Sequence, residues 1–312
     1  MKLNEAVVKF ESYLLSALCV SRNTFDAYSR DLKQFLDFIK HEVEEQGVVI
    51  WCGQITTDHI KSFLKFLQEH EVHARSRSRK ISCLRKFFEY ISKDESYGLK
   101  ENPMNSIVLP KLEKKLPGFL TETETEQLLK TALLAKTPGE ERNKIMLYVL
   151  YTCGLRISEL VNLRTCNIDF SSGFITIDGK GGKERMVPLQ HDINVMLQEY
   201  LEKTYPQLGS QKSDKILSDL LFPVYYGGVT KALTRQSFWG YLKKLSVAAG
   251  IQKDISPHQL RHSLATHLLK NGADLRSLQL LLGHEHLETV QIYTHLETNH
   301  LRKIYDAKHP RS

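Results

Sequence analysis

The sequence predicts a mainly α-helical protein with two domains, the second of which also contains a small antiparallel sheet. Three observations support this fold class. Apolar residues recur at helical spacing through the first hundred residues, two prolines bracket a charged segment that starts near residue 110, and two short apolar runs flank a glycine-rich turn at 179–183. A chain of 312 residues is also long enough to bury two hydrophobic cores.

The N-terminal domain, residues 1–108, is predicted to be entirely helical. Its clearest predicted helices span residues 23–39, 57–67 and 76–91. Each places its apolar residues on one face, as Leu32, Phe35 and Ile39 do in the first of them. The helical region is predicted to end at Asn102-Pro103, because the residue before a proline disfavours the helical conformation.

An extended linker is predicted at residues 109–118, where Pro110 and Pro117 enclose charged side chains. The C-terminal domain then covers residues 119–312. Thr121 begins a predicted helix as a capping residue, and a strongly apolar helix is predicted at 143–152.

Two strands, 174–178 and 184–189, are predicted to form a hairpin around the turn at 179–183. Beyond the second strand the pattern is helical to the end of the chain, including a tail helix in the segment 296–307.

Charge and cysteine content restrict the class of protein. The formal net charge of +7 is compatible with a polyanionic partner but does not require one. The five cysteines are odd in number, widely spaced and form no C-x-x-C pair, which favours reduced thiols in a cytoplasmic protein. No signal peptide opens the chain, and no apolar run reaches the roughly 18 residues of a membrane span, so no membrane insertion is expected.

Five features of the second domain carry residues suited to catalysis. Each is ordinary by itself: an arginine after a helix end, a histidine and an arginine three apart on one helix face, a lysine in a glycine-rich turn, a histidine after a helix, and a tyrosine. The residues are Arg156, His258 with Arg261, Lys180, His284 and Tyr293.

Together these residue types suffice for transesterification at a phosphodiester. Planar guanidinium groups match the charge that develops on the non-bridging phosphate oxygens. A tyrosine hydroxyl, with a reference pKa of about 10, needs a base such as histidine before it attacks. A lysine on the turn can protonate the leaving oxygen. This inventory is sufficient for a phosphotyrosine mechanism but does not show that the residues meet in space.

The order and spacing of these residues resemble the tyrosine recombinase (phage integrase) family. The matching motifs are G-L-R-x-S-E-L, G-K-G-x-K, H-x-x-R, L-G-H and I-Y-T-H. The resemblance implies a catalytic pocket of Arg156, Lys180, His258, Arg261 and His284, with Tyr293 as the nucleophile. It implies attachment to a DNA 3′ phosphate, release of a 5′ hydroxyl and rejoining without metal, ATP or another cofactor. It also implies that the N-terminal domain is a SAM-like core-binding domain.

Two further stretches, 234–239 and 300–311, resemble the Xer chromosome-dimer recombinases, and the XerD branch fits them better than the XerC branch. This resemblance implies a heterotetramer on two double-stranded DNA sites with a XerC-like partner. It further implies control by an FtsK-like DNA translocase, with dimers resolved at a dif-like site during chromosome segregation. The tail is expected either to pack on its own domain or, as the resemblance implies, to dock on a neighbouring subunit.

Candidate DNA contacts lie in both domains. In the first, the basic run is Arg75, Arg77, Arg79 and Lys80, with no acidic residue among them. These arginines alternate, so one continuous helix cannot present them on a single face. In the second, Arg235 and Gln236 near a helix start suit guanine and adenine edges.

Other interpretations of the sequence stay open. A type IB topoisomerase shares the phosphotyrosine chemistry but relaxes supercoils, and an integrase of a mobile element uses the same pocket. A DNA-binding protein with an inactive pocket is disfavoured by the complete set of six residues. A metal site at His284, His286 and His295 is also disfavoured, because H-E-x-x-H is absent and the first two histidines are badly spaced for one helix face.

Overall fold

The computed structural model describes residues 1–43, 50–108, 118–178, 184–208, 219–283, 305 and 308–310. The chain divides into two compact units, Met1–Lys115 and Leu116–Ser312. Of the predicted linker at 109–118, all but Gly118 lies outside the described residues.

The described residues of the first unit form four α-helices, and the apolar spacing predicts three of them. They are α1 (Leu3–Ser16), α2 (Arg22–Val43), α3 (Thr57–Glu69) and α4 (Ala74–Ile91). The three predicted helices are confirmed as α2, α3 and α4. Their apolar faces meet in one core, where Phe35 contacts Phe63 and Phe88 edge to face at ring distances of 5.2 and 6.1 Å.

Where the structure describes it, the second unit combines helices with two small sheets. Its helices are α5 (Glu122–Ala132), α6 (Pro138–Cys153), α7 (Ile157–Val161), α8 (His191–Glu199), α9 (Arg235–Ala248), α10 (Pro257–Lys270) and α11 (Leu275–Leu282). Its strands are β1 (Ile168–Asp169), β2 (Phe174–Asp178), β3 (Glu184–Pro188), β4 (Pro223–Tyr226) and β5 (Val229–Ala232). The mainly α fold with a small antiparallel sheet is therefore confirmed.

The predicted hairpin strands are present as β2 and β3, which pair antiparallel with Ile175 opposite Val187 and Ile177 opposite Arg185. Strand β1 extends this sheet on the other side of β2. The prediction that the chain is only helical after residue 189 was wrong, because β4 and β5 form a second antiparallel hairpin. Its turn is Gly227-Gly228, and both glycines have the positive φ angles that a tight two-residue turn requires.

Helix α6 lies at the centre of the second core. Every residue from Ile145 to Cys153 is buried, which explains why its apolar residues surround the helix instead of forming one stripe. It packs against α10, where buried His267 accepts from the Tyr151 hydroxyl at Nδ1 (2.9 Å) and donates from Nε2 to the Leu120 carbonyl (2.8 Å). Burial lowers the pKa of His267, which favours this neutral form.

The C-terminal residues that the structure describes pack on the chain's own second unit. The Tyr305 side chain is buried in that core, and its hydroxyl donates to the Thr152 carbonyl at 2.7 Å. Its ring also lies 5.0 Å from the ring of His309. The position of Tyr305 therefore agrees with the first expectation for the tail, packing on its own domain. The rest of the predicted tail helix, 296–304 and 306–307, lies outside the described residues.

Across the described ranges, no helix combines the length and apolarity that crossing a bilayer requires. All five cysteines are free thiols, as their number and spacing predict.

Candidate active site

The two predicted catalytic arginines, Arg156 and Arg261, meet at the end of α11. Arg156 donates from Nη2 to the Gly283 carbonyl at 2.8 Å, and Arg261 donates from Nη2 to the carbonyl of the preceding residue, Leu282. Arg261 also donates from Nη1 to the Gly154 carbonyl at 2.7 Å, two residues before Arg156. Residues far apart in sequence are thus held on consecutive carbonyl groups.

Arg156 stands at the start of α7, where the chain turns after α6. Its side chain is 43% exposed, and its Nη1 lies 2.8 Å from Glu159 Oε1 in the next turn of the helix. The same carboxylate accepts from the Arg156 backbone N–H at 2.7 Å, which completes the start of the helix. A guanidinium has five donors, so Arg156 can hold Glu159 and Gly283 and still bind a phosphate.

Arg261 occupies the first turns of α10, which begins with Pro257 after the capping residue Ser256. The Arg261 side chain is buried, and burial together with the nearby Arg156 charge lowers its pKa to about 10. It therefore remains a cation at neutral pH. His258, three residues earlier on α10, is exposed.

The other three predicted catalytic residues, Lys180, His284 and Tyr293, lie outside the described residues. Two of them adjoin described parts of the site in the chain. His284 directly follows Gly283, whose carbonyl accepts from Arg156, and Lys180 lies between β2 and β3 in the sequence. The three histidines of the alternative metal site also lie outside the described residues.

Sequence reasoning missed Glu159 and Arg185, which complete the charged cluster. Arg185 donates from Nη1 to Glu159 Oε1 at 2.9 Å and from Nη2 to Oε2 at 2.7 Å. Burial raises the pKa of Glu159, but hydrogen bonds from Arg185 and Arg156 outweigh burial, and the pKa lies below its usual value. The sequence did contain a signal for Arg185: it lies two residues before Val187 on β3, and so on the strand face that is buried. A charged residue at such a position needs a buried partner.

The predicted DNA contacts of the first unit all lie on one continuous helix, α4. Arg75 is exposed, and Arg77 and Arg79 are partly buried. The prediction of Lys80 as a DNA contact disagrees with its burial. Lys80 is buried, with its Nζ 2.7 Å from the buried carboxylate of Asp31 on α2, and the helical period places it beside Ile81 and Leu84.

An open cleft of about 610 Å³ lies between α2 and α4, above this ion pair. Arg30, Arg75 and Arg79 are among its lining residues. In the second unit, Arg235 and Gln236 are exposed in the first turn of α9, whose N–H groups are capped by Thr234. These side chains are free of the core and accessible to a large ligand.

Gly154 gives a first test of how tightly the arginine site is packed. It ends α6 with φ +59°, and an added Cβ would lie 2.8 Å from Leu282 and 2.9 Å from Leu264. Gly154→Ala is expected to destabilise the protein by about 1–3 kcal/mol, because both the backbone conformation and the added volume are unfavourable. Chemical denaturation measures the loss; Gly240→Ala, where an added Cβ meets no atom within 4 Å, is the control.

Comparisons with known proteins agree with this fold. Residues 118–300 match the phage integrase family, and residues 7–94 match the phage integrase N-terminal SAM-like domain. The chain is 38% identical over 310 residues to tyrosine recombinase XerD of Listeria monocytogenes serotype 4b, covering 99% of this chain and 100% of the relative. It is 40% identical to tyrosine recombinase XerD of Proteus mirabilis, covering 94% and 88%.

Among solved structures, the XerH site-specific recombinase bound to a palindromic difH substrate is 26% identical. The match has a TM-score of 0.65 and covers 89% of this chain and 78% of that one. The chain therefore belongs to the phage integrase family. Within that family it is a site-specific tyrosine recombinase, and it is similar along nearly its whole length to proteins named XerD.

Proposed function

We propose that the chain cuts and rejoins double-stranded DNA through a 3′-phosphotyrosyl intermediate on Tyr293, with Arg156 and Arg261 as the phosphate clamp. One observation carries this proposal. Two guanidinium groups from separate helical segments are held on the consecutive carbonyls of Leu282 and Gly283, immediately before His284 in the chain.

The proposed reaction exchanges one phosphodiester for another. The Tyr293 oxygen forms a bond to phosphorus as the bond to the DNA 5′ oxygen breaks. His258 or His284 accepts the tyrosine proton, and Lys180 donates a proton to the leaving oxygen. A 5′ hydroxyl of a second strand then attacks the phosphotyrosine and reverses these steps. The energy of the phosphodiester bond is thereby conserved, and the reaction requires neither ATP nor a metal ion.

The arginines act on the charge that develops during this exchange. Arg156 and Arg261 are fixed by hydrogen bonds before DNA binds, so their donors need little reorganisation when charge grows on the phosphate oxygens. The low exposure of Arg261 strengthens this interaction, because water screens it less.

We further propose that the protein acts in the cytoplasm as one half of a heterotetramer with a XerC-like partner, under an FtsK-like translocase, to resolve chromosome dimers at a dif-like site. Its similarity to relatives named XerD and to a recombinase bound to a difH substrate supports this role. The exposed Arg75 and the partly buried Arg77 and Arg79 are proposed DNA contacts of the first domain. Arg235 and Gln236 are those of the second. Lys80 is left out because its side chain is buried against Asp31, whereas Arg79, which also pairs with Asp31, stays 40% exposed.

The decisive test first finds the DNA site and then measures exchange. Genomic DNA covalently captured by the protein is sequenced, and two copies of the recovered site are placed in one plasmid. We expect exchange between the two sites with EDTA present and ATP absent, once a XerC-like protein is supplied. Relaxation of supercoils without exchange would favour the topoisomerase interpretation, and capture of mobile-element ends would favour an integrase.

A further inference from the structure

We propose that Arg185 is a positioning residue for the recombination reaction, acting through Glu159 to hold the guanidinium of Arg156 in place. The proposal rests on the proposed function of Arg156 as a phosphate clamp. It assigns a role to a buried arginine of β3 that neither the catalytic motifs nor the proposed DNA contacts include.

The contacts form a continuous chain from β3 to the clamp. Glu159 accepts two hydrogen bonds from Arg185, at 2.9 and 2.7 Å, and two from Arg156, at 2.8 Å from Nη1 and 2.7 Å from the backbone N–H. Each carboxylate oxygen thus receives one bond from each arginine. Because the carboxylate cannot rotate without breaking bonds to Arg185, the orientation of the Arg156 side chain depends on Arg185.

The three side chains of this cluster differ in their exposure to solvent. The side chains of Arg185 and Glu159 are only 6% and 9% exposed, whereas that of Arg156 is 43% exposed. Arg185 is therefore placed to hold the carboxylate, and Arg156 is placed to reach DNA. The second cation also balances a buried carboxylate, so the Arg156 charge is not fully neutralised within the protein.

Arg185 also supports the other group that holds Arg156. A Cβ added at Gly283 would lie 3.0 Å from Arg185 Cδ and 3.2 Å from both Nε and Nη1. The Gly283 backbone therefore lies directly against the Arg185 side chain, and its carbonyl accepts from Arg156. The two residues that hold the Arg156 guanidinium, Glu159 and Gly283, therefore both lie beside the Arg185 side chain.

The chemistry requires arginine at this position. Only a planar guanidinium offers two parallel donors to one carboxylate, whereas a lysine ammonium is a point charge on a flexible stem. In Arg185→Lys the charge remains but the carboxylate is released at one oxygen. We expect this variant to lower the rate of DNA cleavage by about 10- to 100-fold, since small displacements of a positioning group have effects of this size.

The test compares Arg185→Lys, Arg185→Gln, Glu159→Gln and the double variant Arg185→Gln/Glu159→Gln in single-turnover cleavage of a nicked duplex at saturating protein. DNA affinity and melting temperature are measured for each, and every rate is taken below the lowest melting temperature. Arg142→Lys is the matched control, because Arg142 is also buried and donates to a carbonyl, that of Pro223, at 2.8 Å.

We expect the Arg185 variants to cleave slowly at unchanged DNA affinity, while Arg142→Lys loses stability and keeps its cleavage rate. The double variant is expected to be no slower than the slower single variant, since both changes break one chain of contacts. Multiplied losses in the double variant, or a native rate in Arg185→Lys, would overturn the inference. Arg156→Ala is run in parallel: if it cleaves normally, the proposed clamp itself fails, whereas an inactive Arg156→Ala beside a fully active Arg185→Lys removes only the role of Arg185.

Discussion

Tyr293→Phe is expected to abolish the covalent protein–DNA complex and to lower strand cleavage by about 10⁴-fold or more. The substitution removes the only oxygen of the side chain, so no bond to phosphorus can form, and losses of this order follow removal of an enzyme nucleophile. The measurement uses a duplex nicked close to the cleavage site, from which the short 5′-hydroxyl fragment diffuses away and leaves the adduct trapped. Denaturing electrophoresis then quantifies the fraction of DNA in the covalent adduct.

The chain offers a matched control for this experiment. Tyr226 on β4 is 78% exposed, and Tyr226→Phe is expected to form the adduct at the native rate. DNA affinity of Tyr293→Phe should equal that of the unaltered protein, which separates chemistry from binding. If Tyr293→Phe still forms an adduct, another of the 13 tyrosines is the nucleophile, and peptide mapping of the adduct identifies it.

Much of the fold could be predicted because local pattern and final environment agree. The apolar stripes of α2, α3 and α4 face one core, and the apolar run of α6 is buried on all sides. The hairpin of β4 and β5 escaped prediction because its strands have four residues each and include polar Thr230 and Lys231. Its strongest signal was the Gly227-Gly228 pair between them.

The motifs indicated the site residues, but the contacts between elements could not be read from them. Lys80 and Asp31 are 49 positions apart, and Glu159 and Arg185 are 26 apart, so nothing local indicates either ion pair. In both cases a charged residue lies at the buried position of a regular period. Such a residue indicates a partner on another element, because an unpaired charge in a core is costly.

Arg156→Ala is expected to lower the single-turnover cleavage rate by about 10²–10³-fold, the range found when one preorganised donor to a developing oxyanion is removed. The substitution removes a side chain that is 43% exposed, so the fold should persist. Arg156→Lys is expected to recover part of the rate, since it restores the charge but not the two parallel donors.

Arg261→Ala is expected to cleave as slowly as Arg156→Ala and also to be less stable, because it leaves the Gly154 and Leu282 carbonyls without their buried donor.

The control for the exposed arginine is Arg164→Ala, whose side chain is 57% exposed and pairs with Asp219 instead of the clamp. This variant should cleave at the native rate, which shows that removal of an exposed arginine in this unit is not harmful by itself. Rates are measured at saturating protein, with DNA affinity determined separately by fluorescence anisotropy. A native cleavage rate in Arg156→Ala would contradict the clamp. A loss confined to DNA affinity would place Arg156 among the DNA contacts instead, because a group that stabilises the transition state changes the rate even when all the DNA is bound.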